Sequence, residues 1–224
     1  MASKPEYVFT RDFLDNCRIA KSAKLDGLDI SLQAAPPLTL LPSNVTLREW
    51  DVRDDIPEDL IGVYDVIHVR FLSFVLLNDE IPGLVEKLFK LLKPGGYVQW
   101  GEPDIETVSV KKADPNATTE GLNSLFKLMS VQDPRFKPTW LRKLPQLLTE
   151  SGFTDVETDT RDDSPHFEFM FHECGLLIYE LIARKTKNEE MAKKVEELLP
   201  RAAEETRNGC YLTSVRWIVI GRKP

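Results

Sequence analysis

Apolar positions along the chain fall into short runs that close on acids, separated by polar or proline-rich stretches. The first run, Lys24 to Ser31, reads as a strand ending near Asp29. The second, Asn44 to Val52, ends at Asp51, and the third is Tyr64-Asp65-Val66-Ile67-His68-Val69-Arg70. Ile81, Leu84, Val85, Leu88 and Leu91 then recur at helical spacing, with Glu86, Lys87 and Lys90 on the other face, which predicts an amphipathic helix over Glu80 to Leu92. Pro94-Gly95-Gly96 stops that helix, and Tyr97 to Trp100 follows as a fourth strand. Lys24 to Asp104 therefore reads as successive βα units of a doubly wound α/β sheet. One connection is unusual. Pro36, Pro37 and Pro42 exclude a normal helix between the first two strands, where a parallel pair ordinarily needs a crossover helix.

The flanks carry more helix. In the lead, residues 1–23, Tyr7-Val8-Phe9 could form a strand, but Phe9, Phe13, Leu14 and Cys17 share one helical face, which favours a helix. After the fourth strand, residues 105–120 are polar and read as loop. Helices are expected over Gly121 to Val131 and Trp140 to Ser151, with Leu141, Leu144, Leu147 and Leu148 as the apolar face of the second. A strand over Phe153 to Thr160 precedes two further helices, Glu173 to Ala183 and Glu189 to Arg207. The first of these is almost wholly apolar. A turn at Asn208-Gly209 leads to a final strand, Tyr211 to Gly221.

Composition narrows the class. The 224 residues, 42% hydrophobic and 29% charged, suit one soluble domain, 1–224, with an appended helical lead. A net charge of -7 argues against a nucleic-acid backbone or an anionic membrane as the main partner. Cys17, Cys174 and Cys210 are too few and too scattered for a disulfide framework or a zinc site. No run approaches the ~18 apolar residues of a membrane span, and no apolar signal core follows Met1 to Glu6. These features predict a cytoplasmic protein.

Ligands of open α/β sheets sit beyond the carboxyl ends of the strands. Asp29 is placed there to accept hydrogen bonds from ribose hydroxyls, although a turn or cap role is equally compatible with its spacing. Asp51 closes the next strand, where an acid or the backbone after it can meet an adenine amino group; a solvated loop acid is the plainer reading. Arg70 could hold a carboxylate. His68 lies between apolar neighbours and reads as a strand residue. His166 and His172 precede the late helices and are weak candidates for a general base. Glu102 and Asp104 follow the fourth strand, where a substrate could lie, or form an ordinary polar loop. The chain has no Gly-x-Ser-x-Gly elbow, P-loop, His-Glu-x-x-His or Cys-x-x-Cys, so serine hydrolysis, phosphoryl transfer and zinc chemistry are poorly supported.

Leu25 to Ser31, Pro42 to Val45, Tyr64 to Arg70 and Leu91 to Glu102, with its Leu-Lys-Pro-Gly-Gly core, together resemble class I S-adenosylmethionine-dependent methyltransferases. The resemblance extends to Tyr7 to Asn16 and is nearest to the fungal secondary-metabolite branch, which includes methyltransferases of the gliotoxin and terrequinone pathways. It implies a Rossmann-like sheet of order 3-2-1-4-5-7-6 with an antiparallel strand 7. It also implies S-adenosyl-L-methionine as cofactor, a small-molecule substrate methylated at nitrogen or oxygen, and pathway enzymes as possible partners. Asp29 and Ile30 would hold the ribose, Asp51 and Val52 would flank the adenine, and Arg70 would lie at the cofactor's edge. The helices over 165–208 would form a substrate lid. One family element is missing: no Gly-x-Gly occurs upstream of Lys24, so the first strand and its glycine-rich loop have no counterpart. In the implied order that strand lies between those ending at Asp29 and Arg70. Its absence keeps a second reading open, a catalytically degenerate relative serving as an auxiliary or partner-binding protein.

Overall fold

The computed structural model describes residues 23–33, 35–132, 135, 137–162 and 164–224; the expected lead helix lies outside them. The chain divides into two compact units, Met1–Asp55 and Ile56–Pro224, and each is described by itself.

In the first unit, β1 (Leu25–Asp29) and β2 (Val45–Glu49) form a parallel pair, with Leu25 opposite Val45 and Asp29 opposite Glu49. Among the described residues of the link over 30–44 there is one 3-10 turn, Leu38–Leu40, and no α-helix, as its prolines require. Gly27 stands opposite Leu47 in the ladder, and a Cβ on Gly27 would stand 2.7 Å from Leu47 Cδ2. Backbone bonds extend the pair at both ends, from Leu25 N–H to the Asn44 carbonyl and from Trp50 N–H to the Asp29 carbonyl. Trp50 is buried, and its indole N–H donates to the Asp55 carbonyl at 3.1 Å.

The second unit holds β3 (Tyr64–Arg70), α1 (Ile81–Leu91), β4 (Leu92–Pro103), β5 (Ser109–Lys112), α2 (Glu120–Gln132) and α3 (Leu144–Glu150). Then follow β6 (Thr154–Arg161), α4 (Pro165–Lys185), α5 (Glu189–Arg207), β7 (Cys210–Thr213) and β8 (Arg216–Arg222). The main sheet has the order β3-β4-β8-β6. β3 and β4 are parallel, and β8 runs antiparallel to both β4 and β6. Strands β3, β4 and β6 thus run one way and β8 the other, which is the 4-5-7-6 portion of the expected order. Among the described residues, β1 has one strand partner, β2, and β3 has one, β4.

The core of this unit follows the apolar pattern. Ile81, Leu84, Val85, Leu88 and Leu91 of α1 are all buried, as are Val98 and Trp100 of β4 and Leu144 and Leu148 of α3. Trp100 packs on Trp140 with ring centroids 5.3 Å apart. A separate cluster joins Leu122 and Leu125 of α2 to Ala183, Val195, Ala202 and Cys210.

Several boundaries differ from the pattern. The fourth strand, expected over Tyr97 to Trp100, runs from Leu92 to Pro103, and the helix expected from Trp140 is α-helical only from Leu144. Residues 105–120 are not all loop, because β5 pairs there with β7 in an antiparallel ladder from Ser109 opposite Thr213 to Lys112 opposite Cys210. The expected strand from Tyr211 to Gly221 breaks at Ser214 and Val215, so that β7 joins β5 while β8 joins the main sheet. The helix expected from Glu173 begins at Pro165, whose fixed φ suits a first helical turn. The polar residues that interrupt its apolar pattern, Glu168 and His172, are buried and hydrogen-bonded within the fold. Along the same helix Met170, Leu177, Ile178 and Leu181 are exposed.

Candidate functional site

The parallel register of β1 and β2 brings Asp29, Ile30, Asp51 and Val52 to the same, carboxyl end of the first unit's sheet. Asp29 is exposed, and its Oδ1 accepts the Ser31 N–H at 3.1 Å. Ile30 beside it is 61% exposed. Asp51 Oδ1 accepts the Arg53 N–H at 2.9 Å, with the Arg53 guanidinium 3.4 Å away. Each acid therefore caps its own turn with one oxygen, and a carboxylate offers about four acceptor positions. Arg70 belongs to the second unit; it is exposed at the end of β3, with its guanidinium 4.8 Å from the Phe71 ring centroid.

Directly after β3 the backbone is strained. Phe71 has φ 60°, a left-handed conformation unfavourable for a bulky residue. Glu102 holds the turn that follows. Its Oε1 accepts the Leu72 N–H at 2.7 Å and the Trp100 indole N–H at 2.8 Å. Its Oε2 accepts the Ser73 hydroxyl at 2.9 Å and the Ser73 N–H at 3.2 Å. Burial pushes the Glu102 carboxyl above its ordinary range, and these donors pull it back. Glu102 is thus a structural clamp inside the fold and not part of a polar loop. Asp104, also buried, caps the 3-10 turn over Ile105–Thr107 by accepting the Glu106 N–H, and pairs with Arg142 at 3.1 Å.

A cavity of about 220 Å³ opens in the second unit, walled by Phe74, Phe126, Phe171, Ile178 and Leu212 among others. Three polar side chains on its wall are buried: Glu168, His172 and Arg216. Glu168 Oε1 accepts from Lys111 Nζ at 2.8 Å and from the Thr213 hydroxyl at 2.7 Å, while Oε2 accepts from Lys111 Nζ at 3.0 Å. This contact holds the Lys111 ammonium above its usual range. The Arg216 guanidinium lies 5.1 Å from the Phe167 ring centroid and within 5.9 Å of Phe71 and Phe171, a cation–π cradle.

His172 has a defined tautomer. The Leu212 N–H donates to Nδ1 at 3.3 Å, so Nε2 carries the proton and donates to the Thr206 hydroxyl at 2.8 Å. That hydroxyl donates on to the Ala202 carbonyl. Burial lowers the His172 pKa to about 4, which leaves the ring neutral near pH 7. His166 is exposed in the first turn of α4 and does not line the cavity.

Neither Glu168 nor Arg216 is marked by the motifs and strand ends of the sequence. The readable signal was the pair Glu168 and His172, four residues apart inside an apolar helix and so on one face of it. Among the described residues no group of three or more His, Cys, Asp or Glu is placed to hold a metal ion, and no helix is long and apolar enough to cross a membrane.

No family model matches the chain. Individual proteins do. Methyltransferase grgD from Penicillium sp is 33% identical over 109 residues, 49% of this chain and 37% of that protein. N-methyltransferase tcpN from Claviceps purpurea is 31% identical over 96 residues, 42% of this chain and 34% of that protein. Over these segments the chain is similar to fungal methyltransferases. The matches span little more than a third of the length of these methyltransferase relatives. Among solved structures, the cyclopropane-fatty-acyl-phospholipid synthase-like protein from Lactobacillus casei superposes with a TM-score of 0.56 at 11% identity, covering 93% of this chain and 78% of that one. That likeness bears on the fold alone, and agrees with a Rossmann-like α/β sheet carrying an antiparallel strand.

Proposed function

We propose that the protein is an S-adenosyl-L-methionine-dependent methyltransferase that modifies a nitrogen or oxygen of a small natural product. The observation that carries this reading is the 33% identity over 109 residues to a fungal methyltransferase. The first unit supplies groups that fit the nucleoside end of the cofactor: Asp29 with Ile30 for the ribose, Asp51 with Val52 for the adenine. Arg70 is assigned to the cofactor's edge and the cavity of the second unit to the acceptor. The cytoplasm, beside other enzymes of the pathway, is the proposed location.

When bound, the cofactor supplies an activated methyl group. The chain's own contribution is to orient the acceptor and exclude water from it, which can supply roughly 7–11 kcal/mol of a barrier in well-aligned systems. A protonated acceptor must also lose its proton. His172 could take it only after releasing the Leu212 N–H from Nδ1, and His166 would act from an exposed position. Calorimetric titration with S-adenosylmethionine tests the proposal: saturable binding is expected, and no heat at millimolar cofactor would refute it.

A non-catalytic, partner-binding role is favoured by one observation. The described glycines with left-handed backbone are Gly62, Gly95, Gly152 and Gly209, and none directly follows the carboxyl end of β1, β2, β3 or β4. A glycine loop for the methionine end of the cofactor is therefore not among the described residues. Replacing the gene with one encoding Asp29→Ala and Asp51→Ala separates the readings. Loss of a methylated product supports catalysis, and full retention supports the auxiliary role.

A further inference from the structure

The cavity of the second unit is close in size to a fused two-ring molecule. An apolar cavity of about 150 Å³ admits benzene, and this one is larger at about 220 Å³. Its aromatic and aliphatic walls favour a flat apolar occupant. The polar contribution of the wall is narrower. Arg216 is cradled by Phe71, Phe167 and Phe171. Both ring nitrogens of His172 are engaged. Glu168 differs: its side chain is 2% exposed, and its two oxygens accept three hydrogen bonds, from Lys111 twice and Thr213 once. A carboxylate has about four acceptor positions, so one remains, on Oε2. Lys111 balances the charge of Glu168, so a cationic group on the ligand would find no uncompensated carboxylate there, and an anionic group seated against Glu168 would face that carboxylate at close range.

We propose that this cavity binds a neutral bicyclic aromatic molecule and that Glu168 accepts a hydrogen bond from its hydroxyl or N–H group. The proposal names the acceptor class of the methyltransferase reading and rests on that reading only for calling the ligand a substrate. Glu168 is then a specificity residue, because a site built to pair with a donor rejects the analogue that lacks one.

Equilibrium dialysis of the full chain without cofactor, against 2-naphthol, naphthalene and 2-naphthoate, tests it. The naphthol should bind at least tenfold more tightly than either of the others. Glu168→Met should abolish the preference over naphthalene. Ile178→Trp, at an exposed position on the cavity wall, should weaken all binding without lowering the melting temperature. If Glu168→Met does not fold, the naphthol-to-naphthalene ratio in the native chain decides the matter. Equal binding of naphthalene, tightest binding of naphthoate, no binding of any probe, or unchanged binding in Ile178→Trp would each overturn the proposal. Retained naphthol binding in a chain that takes up no S-adenosylmethionine would remove the methyltransferase reading and leave this site standing. The converse result would remove this site alone.

Discussion

Glu102 on β4 holds Leu72 by a 2.7 Å hydrogen bond from the backbone N–H to its carboxylate, across 30 residues of chain. The same carboxylate takes three more donors, from Ser73 and Trp100. The left-handed Phe71 is therefore fixed from the sheet behind it, because the residues that follow it cannot relax. The stretch beside Arg70 and the Phe71–Phe171 stack, with ring centroids 5.4 Å apart, owes its shape to one buried acid.

Glu102→Gln is expected to destabilise the fold by about 1–3 kcal/mol, since an amide offers one acceptor oxygen where the carboxylate offers two. The difference should depend on pH. The folded carboxyl titrates above its ordinary value of 4.5, so the native state binds the proton more tightly than the unfolded chain. The contribution of Glu102 is then full below the ordinary carboxyl range and declines as pH rises through the raised value. Urea denaturation of both proteins across that range should show the gap narrowing with rising pH. A gap that widens would contradict the burial of this group.

Glu205 of α5 accepts the N–H groups of Gly121 and Leu122 at 2.9 and 2.8 Å, so it caps the first turn of α2 from another helix. Glu205→Ala leaves two buried donors unmet and should cost about 2–4 kcal/mol in denaturant titration. Gly121→Ala should also lower stability, because its Cβ would stand 2.9 Å from Ala202 N and force α2 away from α5.

His172 sets a second pH dependence of opposite sign. Its pKa falls from 6.5 to about 4 on burial, so the unfolded chain binds the extra proton first. Stability is complete above pH 6.5 and declines as pH drops through that value toward 4. His172→Asn should be less stable near neutrality but flatter over this window. Thermal melts at pH 7 and pH 5 provide the comparison, and parallel losses in both proteins would exclude His172 as the cause.

Asp29→Ala and Asp51→Ala should each weaken S-adenosylmethionine binding by about tenfold, the scale of one charged hydrogen bond at ~1.4 kcal/mol. Asp29 is exposed and Asp51 half-buried, so melting temperatures should change little. Unchanged affinity in both variants would place the nucleoside elsewhere.

Elements with strong periodicity could be read from sequence, and those governed by distant pairing could not. The α1 face from Ile81 to Leu91 was legible because its spacing meets one core. The prolines of residues 33–43 correctly excluded a crossover helix, although the parallel pairing of β1 and β2 depends on register that no local pattern carries. β5 was hidden because Ser109-Val110-Lys111-Lys112 has little strand character of its own and is ordered by β7, about a hundred residues away. Among site residues, Asp29 and Asp51 stood at predictable strand ends. Glu102 was also placed at a strand end, but its burial, like that of Glu168, was not legible, because an acid's burial follows from donors supplied by other segments, and those donors cannot be counted along the chain.

β8 lies in the middle of the main sheet, between β4 and β6, yet it follows every other strand of that sheet in sequence. A nascent chain that has already emerged past β6 still has two strands with a vacant ladder between them. Completion of the sheet waits for Arg216–Arg222 to leave the ribosome, more than a hundred residues after β4. Such long-range closure is slow and leaves apolar strand surface exposed meanwhile. A chain stopped ahead of Arg216 should therefore be found with chaperones or in aggregates and not as a smaller folded protein, since the segment it lacks is the one that joins the sheet's two sides.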